Sequence, residues 1–372
     1  MESKWDCQIL NTMKKPTISK TALVVLMTLL HFSSYAQNLK PFTIRYNKEM
    51  KGSMLVIGNS TLGINNVPFN GGSNNEVISM KYIDIDADDT TFSSSSATLA
   101  IPATTTCFTI AYAGLYWGAL IKTADSRTSI KNVKLKLPGS SVYTDIVGTA
   151  IYDNPGTPIA PDSNKPYACY ADVTSLVSGL GNAKGVYTVA NVSSSIGDNG
   201  STGLSAGWTL VVVYEDPTTT TKSITTFDGF SAIFDGSSLD IPVSGFITPP
   251  SPAAVNIQFG FATLNGDRVS KTIVEVGNGG SNGDRIPATA ERPNQNFFNS
   301  SITDPNGYLA GRVPDSKNTL GYDTGTVDHL NAAKVGNNAT KAVVSLQIPK
   351  GQANTLFSFF NSFLINVVAP DI

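Results

Sequence analysis

Alternation with a period of two is clearest in Gly207–Pro217, which reads GWTLVVVYEDP. Apolar residues occupy both sets of alternate positions, a pattern typical of a central strand that is covered on both faces. Asp216-Pro217 ends the run, because proline supplies no amide to a sheet. The segment Cys107–Leu120, CFTIAYAGLYWGAL, has the same character and no helical spacing. These two segments are predicted to form the centre of an all-β body.

Shorter segments extend the strand pattern along the chain. Ile130–Leu137 (IKNVKLKL) alternates apolar residues with lysine and predicts a half-exposed strand. Phe42–Gly58 predicts two opening strands, Val77–Asp86 predicts a strand with an acidic end, and Asp172 is placed to cap a single helical turn. About sixteen to twenty short strands separated by turns indicate an antiparallel β-sandwich, jelly-roll-like, with helices limited to single turns. The pattern allows one large sandwich or two closely packed ones.

Composition supports this fold class and excludes one class of partner. The chain has 372 residues, of which 15% are charged, with 32 glycines and 20 prolines. That balance suits strands and turns better than helices. The net charge of −2 offers no basic surface for phosphates, so we expect no nucleic-acid partner.

The N-terminus has the pattern of a secretory signal peptide. A lysine-containing segment ending at Lys20 precedes the short apolar run Thr21–Leu30, and the small-x-small sequence Ser34–Ala36 follows. The run is too short for a membrane span, so none is expected after cleavage. Residues 1–36 are predicted to be removed, with either Met1 or Met13 as the start.

The remaining residues, 37–372, are predicted to form an all-β surface module. An internal division, if present, falls near residues 217–222, after the central strand. The module is expected to be exported, with the extracellular space or the cell surface as its location and the periplasm as the alternative. Its oligomeric state stays open.

Cleavage leaves Cys107 and Cys169. An exported chain can oxidise them, and a disulfide closing a loop of this length would stabilise the fold by about 4 kcal/mol. Both cysteines also lie in apolar, strand-like segments, where a free cysteine fills core space. The sequence leaves the two alternatives open.

The densest acidic cluster contains Asp84, Asp86, Asp88 and Asp89. Alternate aspartates followed by a turn supply the oxygen ligands that calcium prefers, although the glycine and closing glutamate of an EF-hand are missing. The alternative is a strand whose apolar residues face inward while its acids face water. Calcium is therefore the one cofactor predicted, with the oxygen-rich loop Asp198–Ser201 as a weaker second position.

Catalytic chemistry is sparse, and we predict no enzyme and no catalytic residues. The only histidine outside the signal peptide is His329, which is expected at the surface or in a turn. No nucleophile elbow accompanies it, and one histidine with two separated cysteines does not make a zinc site. Asp228 in the run TTFDGF is interpreted as a turn acceptor. No carboxylate pair of the kind that glycosidases use stands out.

Exposed aromatic side chains often bind sugars, and three residues are candidates. Tyr116, Trp117 and Trp208 each have apolar neighbours in a predicted strand. That context favours core packing over a sugar-binding platform.

The chain contains a series of motifs in this order: YIDIDADDTTFSSSSATLAIP, AYAGLYWGA, YACYADVTSLV, AGWTLVVVYEDP, TTFDGF, VSGFITPP, GDR, NFFNSSI and NTLGYDTGTVDH. This series resembles the N-terminal module of large exported cell-surface and gliding-motility-associated proteins of Bacteroidetes, which precedes conserved-repeat β domains. The resemblance covers about Phe42 to Ile372. It implies an extracellular, adhesive or scaffolding role and brings no catalytic residues. The relatives continue into repeats and a sorting domain that this sequence lacks, so its retention at the surface stays open.

Three functions follow from these observations. The leading one is a secreted or cell-surface non-enzymatic module, adhesive or scaffolding, stabilised by calcium, that binds a glycan or a protein through its loops. The alternative is a carbohydrate-binding module or polysaccharide-acting hydrolase, which needs an exposed aromatic platform or two carboxylates about 5–10 Å apart. The third is a self-assembling subunit with unpaired edge strands.

Overall fold

A single 24-residue strand, Gln37–Ser60, runs through the largest sheet of the protein. The computed structural model describes residues 34–156, 164–198, 203–279 and 283–368. Half of the chain is strand and very little is helix, so the all-β sandwich prediction is confirmed. In chain order the strands are β1 Ser34–Tyr35, β2 Gln37–Ser60, β3 Leu62–Gly63, β4 Lys81–Tyr82, β5 Ser94–Leu99, β6 Thr109–Lys122, β7 Asn132–Lys136, β8 Thr144–Val147, β9 Thr149–Asp153, β10 Asn164–Asp172, β11 Gly185–Ala190, β12 Ala206–Glu215, β13 Thr221–Ile233, β14 Ser237–Ser244, β15 Ile257–Leu264, β16 Ile273–Gly277, β17 Asp284–Arg285, β18 Ile302–Asp304, β19 Gly307–Tyr308, β20 Tyr322–His329, β21 Lys341–Ile348 and β22 Leu356–Asn366.

These strands form one large sheet and two smaller ones that pack on it. The large sheet has the order β19-β18-β20-β15-β22-β13-β2-β12-β6-β10-β9. The four-stranded sheet has the order β5-β11-β7-β8, and the five-stranded sheet has the order β1-β14-β21-β16-β17. Strands β18 and β20 pair in parallel, and the other neighbouring strands from β2 onward are antiparallel in the described part of the chain. The short strands β3 and β4 pair with each other.

The predicted central strand is confirmed as β12, which lies between β2 and β6. Trp208 of β12 is opposite Trp117 of β6, and both indoles are fully buried. Each indole N–H donates inside the core, Trp117 to the carbonyl of Ile130 at 2.7 Å and Trp208 to Ser95 Oγ at 2.9 Å. The prediction that these aromatics pack in the core, and do not form a surface platform, is therefore confirmed.

The buried apolar side chains form two clusters. The first joins the four-stranded sheet to β2, β6, β10 and β12 of the large sheet. The second joins the five-stranded sheet to β13, β15, β20 and β22. Strand β2 pairs with different strands along its length. Its second half, Gly52–Ser60, pairs with β12, and its first half, Gln37–Lys51, pairs with β13. The expectation of two opening strands is wrong, since the polar residues at its middle stay within one bulged strand.

In the part of the chain that the structure describes, helical structure is limited to single turns, as predicted. The segment Asn75–Val77 is a 3-10 turn, and helix α1 spans Thr174–Ser178. Asp172 Oδ1 accepts a hydrogen bond from the Thr174 amide at 2.8 Å, but the N-cap position belongs to Val173. No helix in the described part of the chain has the length and apolarity to cross a membrane.

A buried ion pair connects two chain segments beside the second apolar cluster. Arg292 Nη1 lies 2.9 Å from Asp323 Oδ1, and neither side chain is exposed to solvent. Asp323 also accepts hydrogen bonds from the amides of Ser300 and Ser301, at 2.9 and 3.0 Å. The sequence motifs NFFNSSI and NTLGYDTGTVDH meet at this pair, because Asp323 of the second motif binds the amides of Ser300 and Ser301 of the first.

Candidate functional site

The acidic segment lies on the outer face of the four-stranded sheet. Val133 and Leu135 of β7 point into the core, which leaves Lys134 and Lys136 on the outer face. Asp86 reaches this face and forms an ion pair with Lys136, with Nζ and Oδ2 3.0 Å apart. The predicted strand over Val77–Asp86 is reduced to β4, so the acids belong to a loop that covers the sheet.

Asp86 is held by two groups of the sheet. Its Oδ2 atom accepts hydrogen bonds from Lys136 Nζ at 3.0 Å and from the Tyr143 hydroxyl at 2.5 Å. Partial burial raises the pKa of Asp86, but the hydrogen bonds from Tyr143 and Lys136 outweigh it, so the pKa is lowered overall. Burial, together with the same hydrogen bond, raises the pKa of the Tyr143 phenol, which therefore stays a donor at neutral pH.

The other acids of the segment differ in their partners. Asp84 Oδ1 accepts a hydrogen bond from Ser94 Oγ at 2.8 Å. Asp88 Oδ1 accepts from the amide and hydroxyl of Thr90, at 2.9 and 2.6 Å, and these bonds lower its pKa. Asp89 is exposed. Asp84 and Asp88, like Asp86, are thus already bonded to protein groups.

A calcium ion at these aspartates stays a prediction. Within the described ranges, no three His, Cys, Asp or Glu side chains are grouped as metal ligands. The inward-facing strand that was the alternative is also absent, because Ile83 is buried while Ala87 is exposed. Of the weaker position Asp198–Ser201, residues 199–201 lie outside the described residues.

Cys107 and Cys169 are both free thiols, the first exposed and the second buried. Cys169 is opposite Trp117 of β6, ten positions along the chain from Cys107. Trp117 is eight residues from Thr109, the first residue of β6, which is about 26 Å at about 3.3 Å per residue, and Cys107 precedes that strand by two residues, whereas a disulfide needs Cα atoms within about 7 Å. Burial raises the pKa of Cys169 to about 12, which fits a core-filling thiol.

Two expectations about single residues are wrong. His329 is buried at the end of β20, not at the surface, and its Nε2 atom lies 3.8 Å from Asp284 Oδ2. Burial lowers the pKa of His329, and Asp284 opposes that shift. Asp228 is no turn acceptor, because it is buried in β13 and paired with Arg45 Nη2 at 2.6 Å. Both positions are polar in the sequence, but strand pairing buries them, since Asp228 is opposite Phe360 of the first apolar cluster and His329 is opposite Ile257 of the second.

Beside the acidic segment, the outer face carries a groove of about 390 Å³. Its apolar part is exposed, since 44% of Phe92 and 75% of Val147 is accessible to solvent. Lys134 and Asp145 form an ion pair beside it, with Nζ and Oδ1 2.8 Å apart. We call this the β7–β8 groove and define it by the lining residues Phe92, Asn132, Lys134, Asp145, Val147 and Asn191.

Local bonds fix the position of Phe92. Asn191 Oδ1 accepts a hydrogen bond from the Phe92 amide at 2.8 Å, and Asn191 Nδ2 donates to the Thr90 carbonyl at 3.1 Å. Asn191 has a left-handed backbone conformation with φ of 65°, which asparagine tolerates better than most residues. The centroid of the Tyr82 ring lies 4.9 Å from that of the Phe92 ring, and the two rings are in tilted contact. An exposed aromatic ring is thus held in place beside charged groups.

The groove offers binding chemistry. It provides an aromatic surface, an ion pair and an amide, which together suit a ligand with both apolar and polar faces. Sequence reasoning missed Phe92, because it lies in a polar stretch without periodicity. The one available signal was a large aromatic residue among serines and threonines.

The comparisons with known proteins add little. No protein-family model matches the chain, and no curated protein matches it. Among solved structures, it is similar to a variant of BuGH86 in complex with neoagarooctaose, with a TM-score of 0.22, 10% identity, and coverage of 88% of this chain and 34% of the other. It is also similar to BpGH86A, a beta-porphyranase of glycoside hydrolase family 86 from Bacteroides plebeius (TM-score 0.21, 8% identity, 90% and 38% coverage), and to PNGF-II (TM-score 0.22, 10% identity, 85% and 66% coverage). The chain spans about a third of the first two proteins, and such low TM-scores carry no argument.

Proposed function

We propose that this chain is an exported, non-enzymatic β-sandwich module of adhesive or scaffolding type that holds an extracellular ligand in the β7–β8 groove. The observation that carries the proposal is Phe92, a large aromatic ring that is 44% exposed and yet fixed by Asn191 and Tyr82. Recognition commonly uses residues that a rigid sheet positions in this way. The resemblance of the ordered motifs to exported surface modules supports the same role and location.

A glycan is the ligand that best fits the groove. The Phe92 ring offers a flat apolar surface for the C–H face of a sugar ring, and Lys134 and Asp145 offer hydrogen bonds to hydroxyl groups. A protein ligand would use the same apolar residues, Phe92 and Val147, but would need a larger contact area than this groove alone supplies.

The experiment is a glycan array probed with the exported chain, followed by titration calorimetry with the best ligand. Phe92→Ala should weaken binding by tenfold or more, because burying a phenylalanine side chain against a ligand is worth about 1.5–3 kcal/mol. Val269→Ala is the matched control, since Val269 is 75% exposed and does not line the groove. Equal affinities for the two variants would place the ligand elsewhere.

Calcium belongs to the proposal as a stabilising ion at the acidic segment. A cation there would have to compete with Lys136 and Tyr143 for Asp86. Thermal unfolding with calcium and with chelator tests it, because an ion that binds only the folded state stabilises it by about 2.7 kcal/mol at a hundredfold excess over Kd. The stabilisation should disappear in an Asp84→Ala/Asp86→Ala double variant. Equal unfolding temperatures with calcium and chelator would remove calcium from the proposal.

The alternative of a polysaccharide-acting hydrolase is not favoured at this groove. Its aromatic platform would have used Trp117 and Trp208, which are buried. The lining residues of the groove include one carboxylate, Asp145, whereas glycosidases use two. Release of reducing ends from a bound polysaccharide would overturn the non-enzymatic part of the proposal.

A further inference from the structure

The outer face of the five-stranded sheet carries a second concave surface, a trough of about 440 Å³. Strand register explains its polar lining. Ser345 of β21 is opposite Asp240 of β14 on one side and Glu275 of β16 on the other. Glu275 is in turn opposite Arg285 of β17. Because directly opposite residues share a face, these four side chains form one polar row across four strands.

The neighbouring positions complete the trough. Next to the polar row, Gln347 is opposite Ser238 and adds an amide and a hydroxyl. On the other side, Val343 is opposite Pro242 and Gly277, so that end has small apolar side chains or none. A Cβ atom on Gly277 would lie 3.1 Å from Gly283 Cα, so the backbone of Gly283 passes close to this position. The hydrogen-bonding side chains of the trough are therefore concentrated in two rows, and the remaining lining is Val343, Pro242 and glycine backbone.

The two carboxylates of the row differ in their hydrogen-bond partners. Glu275 Oε2 accepts a hydrogen bond from Gln347 Nε2 at 3.1 Å, and Glu275 Oε1 lies 3.6 Å from Arg285 Nε. Asp240 is exposed and has no hydrogen bond or ion pair with any residue in the described ranges. Ser345 lies between them and is in contact with Gln347 at 3.3 Å. One acceptor is thus fixed in position, and another is free to take hydrogen bonds from a ligand.

Coordination and charge narrow the class of ligand. A cation between Asp240 and Glu275 would find two carboxylates, of which Glu275 is already bonded to Gln347 and lies near Arg285, and no group of three His, Cys, Asp or Glu ligands occurs in the described part of the chain, whereas calcium takes six to eight oxygen ligands. The two carboxylates disfavour phosphates and other anions. Arg285 neutralises part of the negative charge, so the row does not demand a strongly cationic ligand either. Hydrogen-bond acceptors repeated across the strands suit a linear ligand that carries many hydroxyl groups.

We propose that this trough is a second ligand site, which binds a neutral linear oligosaccharide lying across β14, β21 and β16. The free carboxylate of Asp240 and the fixed carboxylate of Glu275 accept hydrogen bonds from sugar hydroxyls, and Ser345 and Gln347 supply further polar contacts between them. The site is independent of the β7–β8 groove, since it belongs to the other small sheet and shares no residue with it.

The test is affinity electrophoresis of the exported chain in native gels that contain laminarin, xylan or mixed-linkage β-glucan. At least one polysaccharide should retard the protein, and an Asp240→Asn/Glu275→Gln double variant should need at least tenfold more polysaccharide for the same retardation. Ser244→Ala is the matched control, because Ser244 is exposed on the same strand, β14, outside the trough. Phe92→Ala, which alters only the β7–β8 groove, should retain the retardation.

Three results would overturn this inference. The first is that no polysaccharide retards the protein. The second is that the double variant and Ser244→Ala behave alike. The third is that calorimetry shows binding of spermine that depends on Asp240 while the polysaccharides stay unbound, which would make the trough a site for cations. Circular dichroism of the variants checks that the exposed substitutions leave the fold intact.

Discussion

Removing the carboxylate of Asp323 should destabilise this protein more than the loss of any exposed ion pair. Asp323 is fully buried and faces Arg292, which is also fully buried. Arg292 donates further bonds to Thr303 Oγ1 at 3.1 Å and to the Ser301 carbonyl at 2.7 Å, and it contacts the Phe297 carbonyl. The Asp323→Ala substitution leaves this guanidinium without a counter-charge, in a place that water does not reach.

The magnitude follows from the groups that lose their partner. Burial lowers the pKa of Arg292 and Asp323 opposes that shift, but a guanidinium stays protonated in proteins, so removing Asp323 leaves an uncompensated buried charge. Breaking one side of a buried ion pair costs about 3–5 kcal/mol. The amides of Ser300 and Ser301 also lose an acceptor, which moves the expectation to the upper part of that range. With an unfolding entropy of about 2.1 cal/mol/K per residue over roughly 330 residues, a loss of about 5 kcal/mol lowers Tm by about 7 °C.

Urea unfolding followed by tryptophan fluorescence measures the change, with a thermal scan beside it. Lys48→Ala is the control, because its partner Glu215 and Lys48 itself are 44% and 49% exposed, and exposed pairs contribute less than about 1 kcal/mol. A double variant, Arg292→Met with Asp323→Ala, removes the unpaired charge and should recover part of the stability. If Asp323→Ala costs no more than Lys48→Ala, the guanidinium reaches solvent and the buried pair does not hold these loops.

Three further outcomes are expected. In the native protein a thiol reagent should label Cys107 within minutes and Cys169 only after denaturation, as peptide mass spectrometry would show; labelling of neither until denaturation would indicate a disulfide or a covered Cys107. Gly148→Ala should cost about 1–3 kcal/mol in urea unfolding because its Cβ overlaps the buried indole beside it, whereas Gly181→Ala, with open space around it, should be close to neutral. The pKa of Asp86 is lowered in the folded state, so its contribution is present above the unfolded pKa of about 3.9 and lost as pH falls below it. The free energy of unfolding should therefore fall less steeply below pH 4 in Asp86→Asn than in the unsubstituted protein.

The sequence predicts the centre of this fold well because burial on both faces leaves a continuous apolar run. Strands β12 and β6 are such cases, and Trp117 and Trp208 are buried where the pattern placed them. Strand β2 is different. Most side chains in its first half are exposed or half-buried, and they include Lys48 and Glu49. In the sequence these polar residues resemble a break between two strands. Pairing with β13, which is distant in the sequence, keeps that half extended.

The same reasoning explains why the acids were located but their partners were not. The sequence shows a run of aspartates, and oxygen-rich runs favour a metal. Whether such a run binds an ion or a protein group depends on what lies opposite, and here Asp86 is bonded to Lys136 at the end of β7 and to Tyr143 just before β8, which are 50 and 57 residues away in the sequence. A local sequence pattern does not show which distant residues lie opposite an acid, so the run of aspartates alone does not distinguish a calcium ligand from a carboxylate bonded to the protein.

In this all-β protein, the sequence predicts which residues face outward but not which of them lie together in a ligand site. Alternation identifies which residues of β14, β16 and β21 face outward, and Asp240, Ser345 and Glu275 each satisfy it. Their meeting in one row depends on register, and a slip of one residue in any strand would send that strand's polar residue into the core. Function at a sheet surface is a property of register and strand order as well as residue type. For a chain whose strands pair across long sequence separations, the site can be read only once the sheet is assembled.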